Sequence, residues 1–202
     1  MAVAQKLDLY KLHKSEYVTP KKPVFIDTKA AKYLTIQGKG EPGGAEFQAQ
    51  VGALHGVAYT LKFASKFAGR DYRVCHLEGL WMGPKGWDIS QPPPKEWRWK
   101  LLIRVPDFTT EEQVKQAIAE LKKKGKAPAA PKVKLATIDE GRCVQMLHVG
   151  PYSEEVKTVE QMMAAAQDQG LKVRGPHHEI YLSDPRMVAP ERLRTILRYS
   201  VA

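Results

Sequence analysis

Apolar residues recur along this chain with two different periods, and the switches between them predict its elements. Phe47, Val51, Leu54, Ala58 and Leu61 recur at steps of four, three, four and three, an amphipathic stripe that predicts a helix ended by Gly69. Gly52 and Gly56 on that helix cost about 1 kcal/mol each relative to Ala, which points to close packing there. A second helix is predicted to open at Thr109, with Glu112 completing a capping box, Val114, Ile118 and Leu121 facing inward and Gly125 closing it. A third follows Gly150-Pro151-Tyr152-Ser153, with Val156, Val159 and Met163 on one stripe and Gly170 past its end. Period-two or β-branched runs predict strands at 25–37, 72–82, 97–105, 177–182 and the C-terminus. Two further runs flank Glu140-Gly141, the signal of a hairpin.

The order of elements repeats. Residues 33–105 read strand, helix, strand, strand, and so do residues 142–201. This predicts an α+β fold of duplicated βαββ units with pseudo-twofold symmetry: two antiparallel sheets, helices outside and a central ligand cleft. Residues 1–23 read as an N-terminal arm that packs by Tyr10 and Tyr17 or stays partly mobile. Residues 24–202 read as one domain whose halves, about 24–125 and 133–202, meet at the Pro/Ala linker 126–132. The loop between the strands at 72–82 and 97–105 carries Gly83, Gly86 and Pro92-Pro93-Pro94, longer than a hairpin needs and a candidate binding edge.

Composition narrows the class. The chain has 202 residues, 43% hydrophobic and 27% charged, as expected of a soluble domain with a real core. No run approaches the roughly 20 apolar residues of a membrane span, and the N-terminus lacks the apolar core of a secretory signal. With only Cys75 and Cys143, far apart and outside any CxxC, this predicts a cytoplasmic protein with reduced thiols. The net charge of +10 is scattered, without a helix-turn-helix, an RNP-like motif or zinc-finger spacing, so no specific nucleic-acid partner is expected.

The candidate chemistry centres on GPHHEIYLSD, residues 175–184. Alternation puts His177, Glu179 and Tyr181 on one face, and His178, Ile180 and Leu182 on the other. A Glu inside a domain must find donors, stay protonated or meet a ligand. Overlaying the halves sets LEGLW on HEIYL and Glu78 opposite Glu179, so a cleft would present one Glu from each half. Glu78 shares its face with His76 and Leu80, and a bulge at Gly79 would bring Trp81 round to the cleft. Trp97 and Trp99 are either core residues or a flat wall for a planar ligand. Tyr59, Tyr152 and His148 complete the candidate ligand-binding set, whereas His55 and His76 read as structural. The histidines show no metal-ligand spacing, so no metal or other cofactor is expected.

HVGPYSEE and GPHHEIYLSDPRMVAPERLRTILRYSV resemble GyrI-like small-molecule-binding domains, which also form effector domains of drug-sensing transcription activators. YKLHKSEYVTPKKP, LTIQGKGEP, AYTLKF and YRVCHLEGLWM resemble the stand-alone subgroup, some of whose members are cyclopropanoid hydrolases that open the cyclopropane of duocarmycin-type alkylators. GKGEPGG departs from the acidic-Pro-Asn turn more usual in that subgroup. The resemblance implies a cleft lined by aromatics, with a buried Glu at Glu179 and, in hydrolase-type members, an acidic partner at Glu78. The expected chemistry is water addition to a strained ring, with Glu78, Glu179 and Tyr181 as acid and base groups. The alternative is a cleft that sequesters a hydrophobic cation without reacting.

Overall fold

The computed structural model describes residues 6–83 and 93–202, so Gly86 and Pro92 of the predicted loop lie outside the described residues. The chain runs α1 (Leu9–Leu12), β1 (Val24–Asp27), β2 (Ala31–Lys39), α2 (Ala45–Phe67), β3 (Glu78–Met82), β4 (Arg98–Arg104), α3 (Glu111–Lys123), β5 (Lys134–Ile138), β6 (Arg142–Val149), α4 (Glu155–Asp168), β7 (Val173–Tyr181) and β8 (Arg194–Val201). The duplicated units are present as β2-α2-β3-β4 and β6-α4-β7-β8. The two predicted sheets are joined: antiparallel pairing of β3 with β7 makes one eight-stranded sheet in the order β1-β6-β8-β7-β3-β4-β2-β5.

Three local expectations shift. The capping box belongs to Thr110 and Gln113, one residue beyond Thr109 and Glu112. Residues 73–77 belong to no strand, Tyr72 makes only an isolated bridge to Leu7, and the ladder begins at Glu78. Gly56 meets Leu121 of α3, but a side chain at Gly52 would meet nothing within 4 Å, so only Gly56 marks a close approach.

The predicted hairpin at Glu140-Gly141 does not form. β5 pairs with β2, and β6 pairs with β1 and β8. In sheet order β5 and β6 stand six places apart, roughly 29 Å in a flat sheet at about 4.8 Å per strand. The connection at 139–141 reaches no more than about 14 Å, so the sheet must curl until its ends meet. One register runs through both the β1–β6 and β2–β5 ladders, and Thr28 N–H donates to Gly141 C=O at 2.9 Å between them. The two segments thus form one bent ribbon that crosses from one half to the other.

That crossing carries Glu140 onto the face of the sheet turned away from the helices. There His178 Nδ1 lies 2.9 Å from Glu140 Oε1 and its Nε2 lies 3.0 Å from Glu78 Oε2. Arg198 donates to Glu140 Oε2 at 2.9 Å and to Gln145 Oε1 at 2.8 Å. The N-terminal arm closes this face: Glu16 accepts from Arg104 at 2.7 Å, its carbonyl accepts from Arg198, and the Tyr17 hydroxyl accepts from Arg104 at 3.1 Å. Gln145 and Leu147 donate to the carbonyls of Val18 and Pro20, each at 2.8 Å. The arm is therefore part of the fold from Asp8 onward, with its predicted aromatics packed edge to face at 4.5 Å. Glu16, Glu78 and Glu140 balance Arg104, Arg198 and a protonated His178, which is how so much charge can be buried.

On the opposite face α2 packs on β2 and β4, and α4 packs on β6. Leu54, Val57 and Leu61 join Leu34, Ile36, Leu101 and Ile103 in one core, and Val159, Met162 and Ala166 join Val144, Met146 and Leu197 in another. The linker residues Ala127, Ala129 and Ala130, and Val133 just after them, pack into the first of these. No helix among the described residues is long and apolar enough to cross a membrane.

Burial works against the His178 imidazolium, but the charges and hydrogen bonds of Glu140 and Glu78 outweigh it and raise its pKa from 6.5 to about 9. A pKa raised on folding adds stability that is complete below the unfolded value and lost as pH climbs through the folded one. Thermal melts should therefore show a contribution on the order of 3 kcal/mol present at pH 6 and lost between about 6.5 and 9. His178→Gln should be less stable than wild type at pH 6 and lack this decline; parallel curves for the two proteins would show that His178 carries no such charge.

Candidate functional site

Each helix covers its own half, so the β3–β7 seam between them remains uncovered on the helix face. It forms the floor of a cleft of about 1120 Å³. Phe47, Val51, His55 and Tyr59 of α2 line one wall, and Tyr152, Glu155, Val156 and Val159 line the other. Antiparallel register puts Gly79 opposite Glu179 and Trp81 opposite His177, with Tyr181 next along β7. The predicted face of β7 is correct for His177, Glu179 and Tyr181, and all three line the cleft.

Glu78 does not. It pairs with Ile180, not with Glu179, so simple alternation turns its side chain to the other face. It is fully buried there against His178, with the Tyr17 hydroxyl 3.5 Å away. The overlay of the halves is out by one residue: α2 and α4 lie on the same face of the sheet, so equivalent residues must share a face, and Glu78 and Glu179, which point to opposite faces, are not equivalent. Trp81, being odd-numbered like Gly79, reaches the cleft by alternation without a bulge.

The acidic partner of Glu179 is Glu155, in the first turn of α4. His177 Nε2 sits between them, 3.1 Å from Glu179 Oε1 and 3.4 Å from Glu155 Oε2. Glu155 Oε1 and His177 Nδ1 are buried without a hydrogen-bond partner among the described residues. Burial pushes Glu155 up to about 8, with the charge of Glu179 adding to the effect and His177 opposing it. Burial disfavours the His177 imidazolium, yet hydrogen bonds to both carboxylates and their charges raise it to about 9. The ligand atoms of the three residues all lie within 4.8 Å of one another, a span a metal ion could bridge, although His177 already supplies the positive charge between the carboxylates. Sequence spacing gave no sign of this grouping. The structure buries Glu155, Val159, Met162 and Ala166 of α4, a stripe rotated one step from the expected Val156–Val159–Met163, and that rotation is what turns Glu155 inward.

Trp81 Nε1–H donates to the Tyr181 hydroxyl at 2.8 Å. An indole can only donate, so the hydroxyl oxygen accepts and its proton points to Glu179, with which it is hydrogen-bonded. Tyr181 therefore orients Glu179. Burial, then the charge of Glu179, holds its phenol well above the usual value. The floor and walls are aromatic: Phe47 stacks on Trp81 at 5.8 Å, Trp97 meets Trp81 edge-on at 5.6 Å, and Tyr152 meets Tyr181 edge-on at 5.9 Å.

Of the other expected ligand contacts, Tyr59, Trp97 and Tyr152 line the cleft. Trp99 does not; it is fully buried beneath α2, its indole donating to Gln50 at 2.9 Å. His148 does not either: its nitrogens meet Thr158 Oγ1 at 2.9 Å and the Pro151 carbonyl at 3.1 Å, which fixes the turn into α4. His55 and His76, read as structural, do line the cleft, as does the thiol residue Cys75.

A side chain at Gly79 would come within 2.8 Å of Trp81 Nε1 and 2.9 Å of the Tyr181 hydroxyl. Gly79→Ala should break that hydrogen bond, cost about 1–3 kcal/mol and shift the tryptophan emission. Gly52→Ala, which meets open space, should stabilise by up to about 1 kcal/mol and leave emission unchanged. Calorimetric melts and fluorescence spectra check both.

The GyrI-like small-molecule-binding domain model matches residues 101–200. A conserved protein from Listeria innocua is 40% identical, with 98% of this chain and 100% of that one covered and a TM-score of 0.89. A hydrolase from Listeria innocua is 39% identical over 98% of this chain and 100% of its own, with a TM-score of 0.87. The C-terminal domain of EcmrR shares the fold at 11% identity, covering 90% of this chain and 97% of that one with a TM-score of 0.58. No curated protein sequence matches. The chain belongs to the GyrI-like small-molecule-binding domain family.

Proposed function

We propose that this protein binds a planar, hydrophobic small molecule in the cleft and hydrolyses a strained electrophilic ring within it, as a cytoplasmic detoxifying enzyme. The observation that carries this reading is the Glu155–His177–Glu179 cluster, buried at the base of an aromatic cleft and backed by Tyr181. The relative described as a hydrolase supports the reaction class. Trp81, Trp97 and Phe47 would hold the ring system by stacking and edge contacts.

In this reading the two carboxyl groups take different parts. Glu179, oriented by Tyr181 and His177, takes a proton from water as the water oxygen bonds to the ring carbon. The electron pair of the breaking C–C bond passes into a conjugated carbonyl, whose oxygen takes the proton that Glu155, pushed up to about 8, still holds at neutral pH. Proton exchange with solvent then restores both groups. Tyr181 acts as a positioning residue, and Glu78 has no part in the chemistry because the sheet lies between it and the ligand.

With a cyclopropane-containing alkylator as substrate and mass-spectrometric detection of the water adduct, Glu155→Gln and Glu179→Gln should each lower kcat by about 10²-fold or more. Their ligand affinity, read from quenching of tryptophan emission, should stay within about tenfold of wild type, because stacking is untouched. Glu78→Gln should lower the melting temperature yet keep most of the turnover per folded molecule. Binding without adduct in the wild type would leave a sequestering protein; full turnover in both cleft variants would overturn the mechanism.

A further inference from the structure

The cleft holds two carboxyl groups from different elements, Glu155 on α4 and Glu179 on β7, and one cationic group lies between them. His177 Nε2 contacts both, at 3.4 and 3.1 Å. Its ring leans on Tyr199 of β8 at 5.0 Å, and β3 presents the uncharged Trp81 opposite it. Of the other basic side chains along the cleft, Lys62 pairs with Asp71, Arg73 with Asp8 and Arg186 with Asp184. Lys6 acts through its charge on Asp71, and His55 Nδ1 meets the Val51 carbonyl at 3.0 Å. His76 also lines the cleft, and among the described residues only His177 contacts both Glu155 and Glu179. His177 thus stands where the charge of a cationic ligand would have to sit to meet both carboxylates.

We propose that His177 is the specificity-determining residue of the cleft: as an internal cation it directs the site toward neutral planar ligands, and a cationic ligand enters only by displacing its proton. The inference rests on the small-molecule reading of the cleft but not on any catalysis there. With His177 charged and Glu155 still carrying its proton, the cluster has no net charge to offer a cation, while the aromatic walls remain open to a neutral ring system. Raising the pH removes the Glu155 proton and the His177 charge, so the floor becomes progressively negative. Cation affinity should climb over that interval, and neutral-ligand affinity should not follow. Glu155 Oε1 and His177 Nδ1 are buried with no hydrogen-bond partner, so among the described residues no further hydrogen bond holds either group in one charge state.

The test uses a matched pair of planar probes, neutral acridone and permanently charged 10-methylacridinium, titrated into chelator-treated wild type between pH 6 and 9. At pH 7 acridone should bind the tighter of the two. The affinity for 10-methylacridinium should rise by up to about tenfold per pH unit above pH 7, with protons released in a buffer-dependent calorimetric heat, while acridone stays within about twofold. His177→Gln should bind 10-methylacridinium at least about tenfold more tightly at pH 7 and lose most of the pH dependence. Glu155→Gln, which keeps the hydrogen-bonding shape and guards against misfolding of the first variant, should flatten the same rise without favouring the cation. If both probes bind but wild type and His177→Gln discriminate alike, the specificity role is wrong and the cleft reading stands. If neither probe binds wild type at any pH, the cleft reading fails and takes this inference with it.

Discussion

Two neighbouring histidines on β7 each sit between two carboxyl groups, and they point to opposite faces of the sheet. His178 lies between Glu78 and Glu140, and His177 lies between Glu155 and Glu179. An imidazole with a carboxylate at both nitrogens, as His178 has, can satisfy both only as an imidazolium. That single charge lets three carboxylates and two guanidinium groups be buried together, and it ties the crossing ribbon to the central strand. Removing one member of such a set would leave a buried charge uncompensated, which is far costlier than never having buried the set.

The two clusters differ in what surrounds them, and this separates scaffold from site. Around His178 further partners are supplied by Arg198, Arg104 and the arm residues Glu16 and Tyr17. Around His177 the supply stops short, since Glu155 Oε1 and His177 Nδ1 have none among the described residues. One cluster is closed by protein, and the other opens onto a cleft of about 1120 Å³. The closed cluster fixes the orientation of β7, and thereby aims the alternate side chains His177, Glu179 and Tyr181 at the ligand space.

The cleft itself is a consequence of duplication. Each βαββ unit has one helix, which covers the strands of its own half and leaves the joining strands β3 and β7 bare between two helices. Glycine at position 79 keeps that floor low enough for the Trp81–Tyr181 hydrogen bond to pass over it. The same joint explains why Glu78 and Glu179 do not meet. Glu78 pairs with Ile180 and turns away from the helices, whereas Glu179 pairs with Gly79 on the cleft face, so the two are not equivalent in the repeat.

Local periodicity alone was enough to read the α+β class, the repeated element order, the three long helices and the inward face of β7, because each depends on residues within one segment. The aromatic lining was legible in part: Trp81, Trp97, Tyr59, Tyr152 and Tyr181 reach the cleft, whereas Trp99 and His148 are core residues whose polar atoms happen to have partners inside. The hairpin at Glu140-Gly141 was misread because a turn and a kink in a long ribbon look alike over a few residues; only the distant partners β1 and β2 distinguish them. The identity of the second carboxylate was likewise decided by tertiary structure. Whether Glu78 or Glu155 faces Glu179 depends on strand register across the seam and on how α4 is rotated against its sheet. A one-residue shift in either exchanges buried for exposed, and neither is written in the local pattern of the chain.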